Sequence, residues 1–355
     1  MCQEKASFFL VAFKKDEVLM KLTYDEFKKF ISVMKQPCCY FGLERKSFSS
    51  RLLDNIIWYI NEGRVNIDYN IYGCDLTDSL PNTFLSHRRR GDDMKKLSSI
   101  FQYDELLKFL DDKYFFYLFC KENKLPHPKV FMHYKNGEET ILDNADLKEI
   151  LDKGRLFCKQ TTGFGGHEVR CIKTLDELQS CKRAWYDKEY ILQEGITNHH
   201  HIAKLYANSL NTIRCVTVSD GYNVSSFGAV LRIGTQASGN VDNVSSGGLC
   251  VGIEHDGTLL KYGNYDDYYK LKVLEHPDTK VIFNGFKIPS FKEAIDVALK
   301  AHSCIKEIPS IGWDIAITET TPLLIEANYD WGLQIMQMCH GGLKKDWERF
   351  IQAWK

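Results

Sequence analysis

Over roughly the first 110 residues, apolar positions recur at helical spacing. Tyr24, Phe27, Ile31 and Met34 follow Thr23-Tyr24-Asp25-Glu26, a capping box in which a threonine hydroxyl and a glutamate three residues on satisfy two otherwise free backbone N–H groups. A second stripe, Leu53, Ile56, Ile57 and Ile60, is closed by Gly63, a residue suited to the left-handed turn that ends helices. A third runs through Leu106, Leu107 and Leu110. All three read as core-facing stripes. From Val130 the pattern shortens into β-type runs at 156–160, 168–173, 190–193, 212–218, 226–233 and 249–253. Helical stretches lie between some of them. One is capped by Thr174-Leu175-Asp176-Glu177, and another by Ser290-Phe291-Lys292-Glu293, leading into Ile295, Ala298, Leu299 and Ile305. Strand clusters with a few helices at their margins predict an α+β protein with largely antiparallel sheets.

The C-terminal third carries the sharpest chemical pattern. Ile311-Gly312-Trp313-Asp314-Ile315-Ala316-Ile317-Thr318 and Pro322-Leu323-Leu324-Ile325-Glu326-Ala327-Asn328 flank Glu319-Thr320-Thr321, which predicts an antiparallel hairpin centred on Thr320. That register sets Asp314 opposite Glu326, with Asn328 on the same face as Glu326. Two carboxylates facing each other across a sheet repel unless a cation offsets them. Asp, Glu and Asn oxygens are the ligands Mg²⁺ takes, so Asp314, Glu326 and Asn328 are the candidate metal set.

A second pattern is Phe157-Cys158-Lys159-Gln160-Thr161-Thr162-Gly163-Phe164-Gly165-Gly166-His167-Glu168-Val169. A strand ends in a lysine, enters a glycine-rich loop and returns as a strand. Glycines let backbone N–H groups approach phosphate oxygens, and the lysine adds a point charge. The loop also reads as a plain hairpin turn. It is neither a Walker nor a Rossmann loop, because no helix opens after it.

Composition narrows the partners. Lys plus Arg is 46 and Asp plus Glu is 47, a net charge of −1, without the basic excess that nucleic-acid binding through counterion release demands. Arg88-Arg89-Arg90 then reads as a solvated loop. The twelve cysteines are scattered without a CxxC pair, and adjacent Cys38 and Cys39 cannot easily bridge each other, so they read as buried small hydrophobes in a reducing compartment. The apolar run at residues 6–13 is too short, and lacks a cleavage site, to be a signal peptide. No stretch approaches the ~18 apolar residues of a membrane span, and a cytoplasmic protein is the expectation.

A strand-borne lysine, a glycine-rich loop, the acidic segment Gln193-Glu194-Gly195-Ile196 and the terminal Asp…Glu-x-Asn set, in this order, resemble the ATP-grasp superfamily. Leu210-Asn211-Thr212-Ile213-Arg214, Leu231-Arg232-Ile233-Gly234, Val241-Asp242-Asn243, Gly247-Gly248 and Gly312-Trp313-Asp314 resemble its sugar-transfer-associated branch. The resemblance covers roughly residues 110 to 330. It implies an ATP-grasp fold, with a mainly helical region at 1–110, a lobe with the glycine-rich lid at 111–192 and a metal- and substrate-bearing lobe at 193–355.

Carried over residue by residue, the resemblance implies that Lys113 and Lys159 contact the nucleotide phosphates, with Gly163, Gly165 and Gly166 in the lid. Gln193, Glu194 and Ile196 match the hinge that hydrogen-bonds adenine, Glu194 foremost among the side chains. Arg214, with Lys159, matches the catalytic cations that steady the transferred phosphate. Asp314, Glu326 and Asn328 match the magnesium ligands. His199-His200-His201 falls where ribose contacts lie, His201 being the candidate, or is a plain exposed loop. Three consecutive histidines cannot all face one ion, which speaks against zinc. Arg232, Asp242 and Asn243 are candidate acceptor contacts, Arg232 reading equally as a structural salt bridge. His167-Glu168 departs from the small or basic residue common after the lid.

The implied activity is an ATP- and Mg²⁺-dependent carboxylate–amine ligase acting through an acyl phosphate, in polysaccharide or cell-surface glycan biosynthesis. Its partners would be a small carboxylate and an amine or sugar-linked acceptor. The alternatives are a kinase acting on a sugar or other hydroxyl acceptor and a non-catalytic nucleotide-binding protein. The sequence does not decide the oligomeric state.

Overall fold

The Thr23 hydroxyl accepts from the Glu26 N–H while Glu26 accepts from the Thr23 N–H, and this reciprocal cap opens α1 (Tyr24–Lys35) as the pattern predicts. The computed structural model describes residues 9–11, 20–142, 145–153, 156–163, 169–184 and 187–354. A two-stranded ribbon, β1 (Phe9–Val11) and β2 (Met20–Leu22), precedes α1. Next comes α2 (Phe48–Glu62), ended by Gly63 at φ 68°. Then follow α3 (His87–Phe101), α4 (Asp104–Asp111) and α5 (Lys113–Glu122).

Three local expectations are corrected here. Tyr24 and Ile31 of the first stripe are exposed, and α1 buries Phe30 and Val33 instead, with Phe27 and Met34 only partly covered. Leu53, Ile57 and Ile60 are exposed, and only Ile56 of that stripe enters the core, because Trp58 and Asn55 share the buried face of α2. Arg88-Arg89-Arg90 is not a solvated loop. Ser86 caps α3 by accepting the Arg89 N–H, so the arginines form its first turn, and Arg90 is buried.

From Val130 the chain builds a five-stranded sheet from β3 (Val130–Lys135), β4 (Glu138–Ile141), β5 (Leu156–Gln160), β6 (Val169–Ile172) and β7 (Glu189–Glu194), in the order β4-β3-β7-β5-β6. Helices α6 (Leu147–Lys153) and α7 (Leu175–Ala184) flank it, α7 with the expected Thr174–Glu177 box. A one-turn helix, α8 (His200–Ala203), leads to the second sheet. Its strands are β8 (Thr212–Ser219), β9 (Val224–Ile233), β10 (Leu249–Ile253), β11 (Leu259–Asn264), β12 (Ser310–Ile317) and β13 (Pro322–Asn328), in the order β11-β10-β9-β8-β12-β13. Neighbouring strands pair antiparallel throughout. Helix α9 (Phe291–Ser303) crosses between β11 and β12, and α10 (Leu333–His340) and α11 (Lys344–Ala353) follow β13. The expected Ser290 cap does not form. Ser290 sits at φ 48° and its side chain makes no cap bond. The architecture is α+β, with two antiparallel sheets and a helical N-terminal region.

The larger sheet is buried on both faces at β8 and β12, every residue of which is buried. Its core is continuous with the N-terminal helices, so Ile56, Trp58 and Phe84 belong to the same apolar cluster as Ile213, Trp313 and Trp331. The smaller sheet has a separate core around Met132, Cys158, Leu178 and Tyr190. The described cysteines are free and most are buried. Among the described residues no helix is long and apolar enough to cross a membrane.

Gly312 lets the chain after β13 lie directly against β12. A Cβ there would collide with the Trp331 side chain and lie 2.9 Å from Arg214 Cδ. Gly312→Ala should therefore cost about 1–3 kcal/mol through overpacking. Gly91 lies inside α3 with open space around its missing Cβ, so Gly91→Ala should stabilise by roughly 0.5–1 kcal/mol. Urea unfolding midpoints should move in opposite directions for the two variants.

Candidate active site

The hairpin of β12 and β13 closes through four residues, Thr318 to Thr321, rather than the expected three. The Thr318 hydroxyl donates to Thr321 O at 2.7 Å and accepts from the Thr320 and Thr321 N–H groups. Near the turn the pairs are Ile317↔Pro322, Ala316↔Leu323 and Ile315↔Leu324. A bulge at Ile325 then shifts the register by one, giving Asp314↔Glu326 and Gly312↔Asn328. The expected opposition of the carboxylates is present, reached by a different route.

Cations offset the repulsion. Asp314, 2% exposed, is flanked on β8 by its paired residue Arg214. The Arg214 fork donates from Nε to Oδ1 and from Nη2 to Oδ2, the latter at 3.0 Å, while Nη1 donates to Trp331 O at 3.1 Å. Arg232 on β9 lies 3.0 Å from Asp314 Oδ2 and 3.2 Å from Asp242 Oδ1. Asp242 in turn accepts from the Thr212 N–H and hydroxyl, and that hydroxyl accepts from Arg232. Burial acts to raise the Asp314 carboxyl, but the two guanidiniums outweigh it and hold it below the usual carboxylate range. Glu326 goes the other way: burial first, and Asp314 second, push its carboxyl up. Burial likewise raises Asp242 against the pull of Arg232.

The smaller sheet supplies the opposite wall. Lys113 opens α5, its N–H donating to Thr161 O at 2.8 Å, and its Nζ donates to Gly163 O at 3.0 Å while lying 3.8 Å from Glu326 Oε1. Lys159 on β5 donates from Nζ to Gln193 Oε1 at 2.7 Å. Burial in the cleft, only partly offset by Glu326, lowers Lys159 to about 8. A cleft of about 850 Å³ runs between the walls, lined by both lysines, Gly163, Gln193, Glu194 and Ile196 at one end, and by Arg214, Arg232, Asp242, Asn243 and the Asp314–Glu326–Asn328 set further along. Among the described residues, this brings together all but one of the residues singled out from the sequence. Gly165 and Gly166, with His167 and Glu168, lie outside the described residues.

Two side chains differ from expectation. His201 does not line the cleft. Its ring stacks on Phe286 with centroids 4.5 Å apart. The Glu194 carboxylate reaches the cleft wall but accepts from the Lys129 N–H at 2.7 Å, which leaves one oxygen uncommitted by that bond. His199, His200 and Glu319 do converge, with ligand atoms within 4.8 Å of one another. His199 Nδ1 accepts the His201 N–H at 3.1 Å, so a neutral His199 carries its proton on Nε2, the nitrogen facing Glu319, and that tautomer does not ligate a metal. The residues that sequence reasoning passed over are Thr212, which joins Asp242 to Arg232, and Trp331, whose carbonyl anchors Arg214. Thr212 sat within a noted motif, but nothing in the pattern marks a main-chain carbonyl.

No curated protein matches this chain. Among solved structures it resembles the D-alanine–D-alanine ligase of Bacillus anthracis, at 12% identity and TM-score 0.41, covering 69% of this chain and 67% of that one. It also resembles the carboxyaminoimidazole ribonucleotide synthase of Aspergillus clavatus complexed with ATP, at 12% identity and TM-score 0.37, covering 62% of this chain and 45% of that one. A third is the L-amino acid ligase of Bacillus licheniformis, at 13% identity and TM-score 0.36, covering 62% of this chain and 41% of that one. The model of the sugar-transfer-associated ATP-grasp family matches residues 94–350, well over half of the sequence, and the chain belongs to that family.

Proposed function

We propose that this protein is an ATP- and Mg²⁺-dependent carboxylate–amine ligase working through an acyl phosphate, with residues 111–192 and 193–355 as the lobes that close on the nucleotide. The observation that carries this is the meeting of two lysines from one wall of the cleft with a carboxylate pair from the other, of which Asp314 is clamped by guanidiniums. Lys113 and Lys159 bring positive charge to a polyphosphate beside Gly163, and the family resemblance assigns Gly163, Gly165 and Gly166 to its lid. The hinge at Gln193, Glu194 and Ile196 faces the base. Arg214 has five N–H donors and uses three on Asp314 and Trp331, which leaves two to steady a transferred phosphoryl group.

The donor chemistry at Asp314, Glu326 and Asn328 fits Mg²⁺, since all three offer hard oxygens. Both oxygens of Asp314 already serve guanidiniums, so Glu326 is the charged ligand with least competition. When bound, the ion neutralises charge on the phosphates. Beyond it, Arg232 faces an anionic acceptor, held in place by Asp242, with Asn243 alongside. Membership of the sugar-transfer branch supports a sugar acid, or a nucleotide- or lipid-linked sugar, as one substrate, in polysaccharide or cell-surface glycan synthesis in the cytoplasm. A screen of acid and amine pairs tests this: ADP should appear only when both are supplied. Sustained ADP release with a hydroxyl acceptor alone would identify a kinase instead.

Glu326→Gln removes the half-buried member of the repelling carboxylate pair and one charged ligand. The variant apoprotein should melt no lower than the parent, while its stabilisation by Mg²⁺-ATP shrinks sharply. Full retention of the Mg²⁺-ATP shift would place the metal elsewhere.

Lys159, at about 8 when folded, lies below its unfolded value. The unfolded chain therefore binds the extra proton above pH 8, and apoprotein stability should rise with pH from there towards the unfolded pKa of about 10.4. Phosphate binding needs the charged form, so ATP affinity should fall about tenfold between roughly pH 7 and pH 9. Lys159→Met should abolish both trends, as denaturation and calorimetric titrations across that range would read.

A further inference from the structure

The helical N-terminal region reaches into the site through one side chain. Arg90, on α3, lies just outside the residues that the family model matches, and its guanidinium holds three consecutive residues of the connection after β13. Nη1 lies 2.9 Å from Asp330 Oδ1, Nη2 donates to Tyr329 O at 3.1 Å, and the guanidinium carbon stands 4.5 Å from the centre of the Trp331 ring. Arg90 is 7% exposed, and its Nε has no partner among the described residues. Burying a guanidinium is costly unless its remaining contacts compensate. Here one of them is the ring of Trp331, whose carbonyl accepts from Arg214 Nη1, and the other two are on the two residues before it.

The connection from Tyr329 to Gly332 has no strand ladder to fix it, since β13 ends at Asn328 and α10 begins at Leu333. The Trp331 indole is tied to Ser310 by Nε1 at 3.1 Å, and the missing Cβ of Gly312 lets its backbone lie close to β12. Those contacts place the ring. The carbonyl direction depends as well on the course of the chain just before it, where Arg90 holds the Tyr329 carbonyl and the Asp330 side chain. Without a carbonyl at Trp331, Arg214 would keep only Asp314 and could swing in the plane of that pair.

We propose that Arg90 is a positioning residue for the active site: through Tyr329, Asp330 and Trp331 it fixes the third hydrogen bond of Arg214, and thereby aims the two unused Arg214 N–H groups into the cleft. The nucleotide consequence rests on the reading of Arg214 as the cation beside the transferred phosphate. The geometric part does not.

The test uses the whole chain as parent, Arg90→Met and Arg90→Lys, with Mg²⁺-ATP and AMP as probes. Nitrogen-15 NMR of arginine Nε–H groups reads the guanidiniums without ligand, Arg214→Lys assigning the Arg214 signal. In Arg90→Met the Arg214 signal should shift and exchange with solvent about tenfold faster. The Arg232 signal, held by Thr212, should stay. Affinity for Mg²⁺-ATP should fall about tenfold, while AMP, which lacks the phosphates Arg214 would face, should stay within about twofold. Arg90→Lys should recover only part, because an ammonium cannot hold a carbonyl, a carboxylate and a ring face at once. An unmoved Arg214 signal in Arg90→Met overturns the proposal whatever the nucleotide data. Equal losses for AMP and Mg²⁺-ATP also overturn it, since they mark general loosening. If the Arg214 signal moves as expected but Arg214→Lys leaves Mg²⁺-ATP affinity unchanged, the positioning stands and the phosphate role of Arg214 falls.

Discussion

Two carboxylates, buried Asp314 on β12 and half-buried Glu326 on the edge strand β13, face each other across one strand pair, and much of the local structure follows from the need to offset that repulsion. A buried carboxylate costs several kcal/mol to desolvate unless it is paired and hydrogen-bonded. Asp314 meets the requirement with a forked contact to Arg214 and a second contact to Arg232. Each guanidinium then needs further acceptors of its own. Arg214 takes the Trp331 carbonyl, and Arg232 takes Asp242 and Thr212. The network therefore spreads over three adjacent strands and two loops, and removing one member leaves another charge uncompensated.

This network divides the cleft electrostatically. At the Asp314 end two guanidiniums flank the carboxyl and, against its burial, hold it below the usual carboxylate range. Glu326 is pushed up, first by desolvation and then by the like charge opposite, and the single ammonium at 3.8 Å does not offset them. Lys159, whose ammonium meets the neutral amide of Gln193, is pushed down by desolvation, which Glu326 only partly offsets. Both shifts leave charge that a ligand of opposite sign would relieve: a divalent cation beside Glu326 and an anion beside Lys159. Groups destabilised in the free protein in complementary directions, across one cleft, are what an anionic substrate carrying a metal ion would satisfy together.

What the sequence made legible was local or periodic. The boxes at Thr23 and Thr174 and the glycine end at Gly63 formed because each depends on residues within four positions of one another. The Ser290 box did not form, because its backbone takes a left-handed conformation that turns the hydroxyl away from the cap. The α1 and α2 stripes lie largely off the buried faces, since a periodicity of 3.6 fixes spacing while Phe30 and Val33 in α1 and Trp58 in α2 decide which side packs. Arg90 was unreadable for a different reason. Its partners are some 240 positions away, two being main-chain or ring groups, and in the sequence it is one of three consecutive arginines. His201 was placed by order along the chain, but a single helical turn is enough to rotate a ring from the cleft onto Phe286.

The hairpin shows how an expectation can be right by compensation. A three-residue turn with no bulge and a four-residue turn with one bulge give the same pairing at Asp314, because an offset of one at the turn is cancelled by an offset of one at Ile325. In a strand with side-chain period two, an uncorrected slip would carry Glu326 to the opposite face. The bulge thus separates two jobs within β13. Leu324, on the turn side, packs in the core in its own register, while Glu326, beyond the bulge, is brought to the cleft opposite Asp314. The turn can then follow the geometry its threonine prefers without dictating where the carboxylate points. A strand that must serve a core and a charged site in different registers needs one irregular residue between them, and Ile325 is that residue.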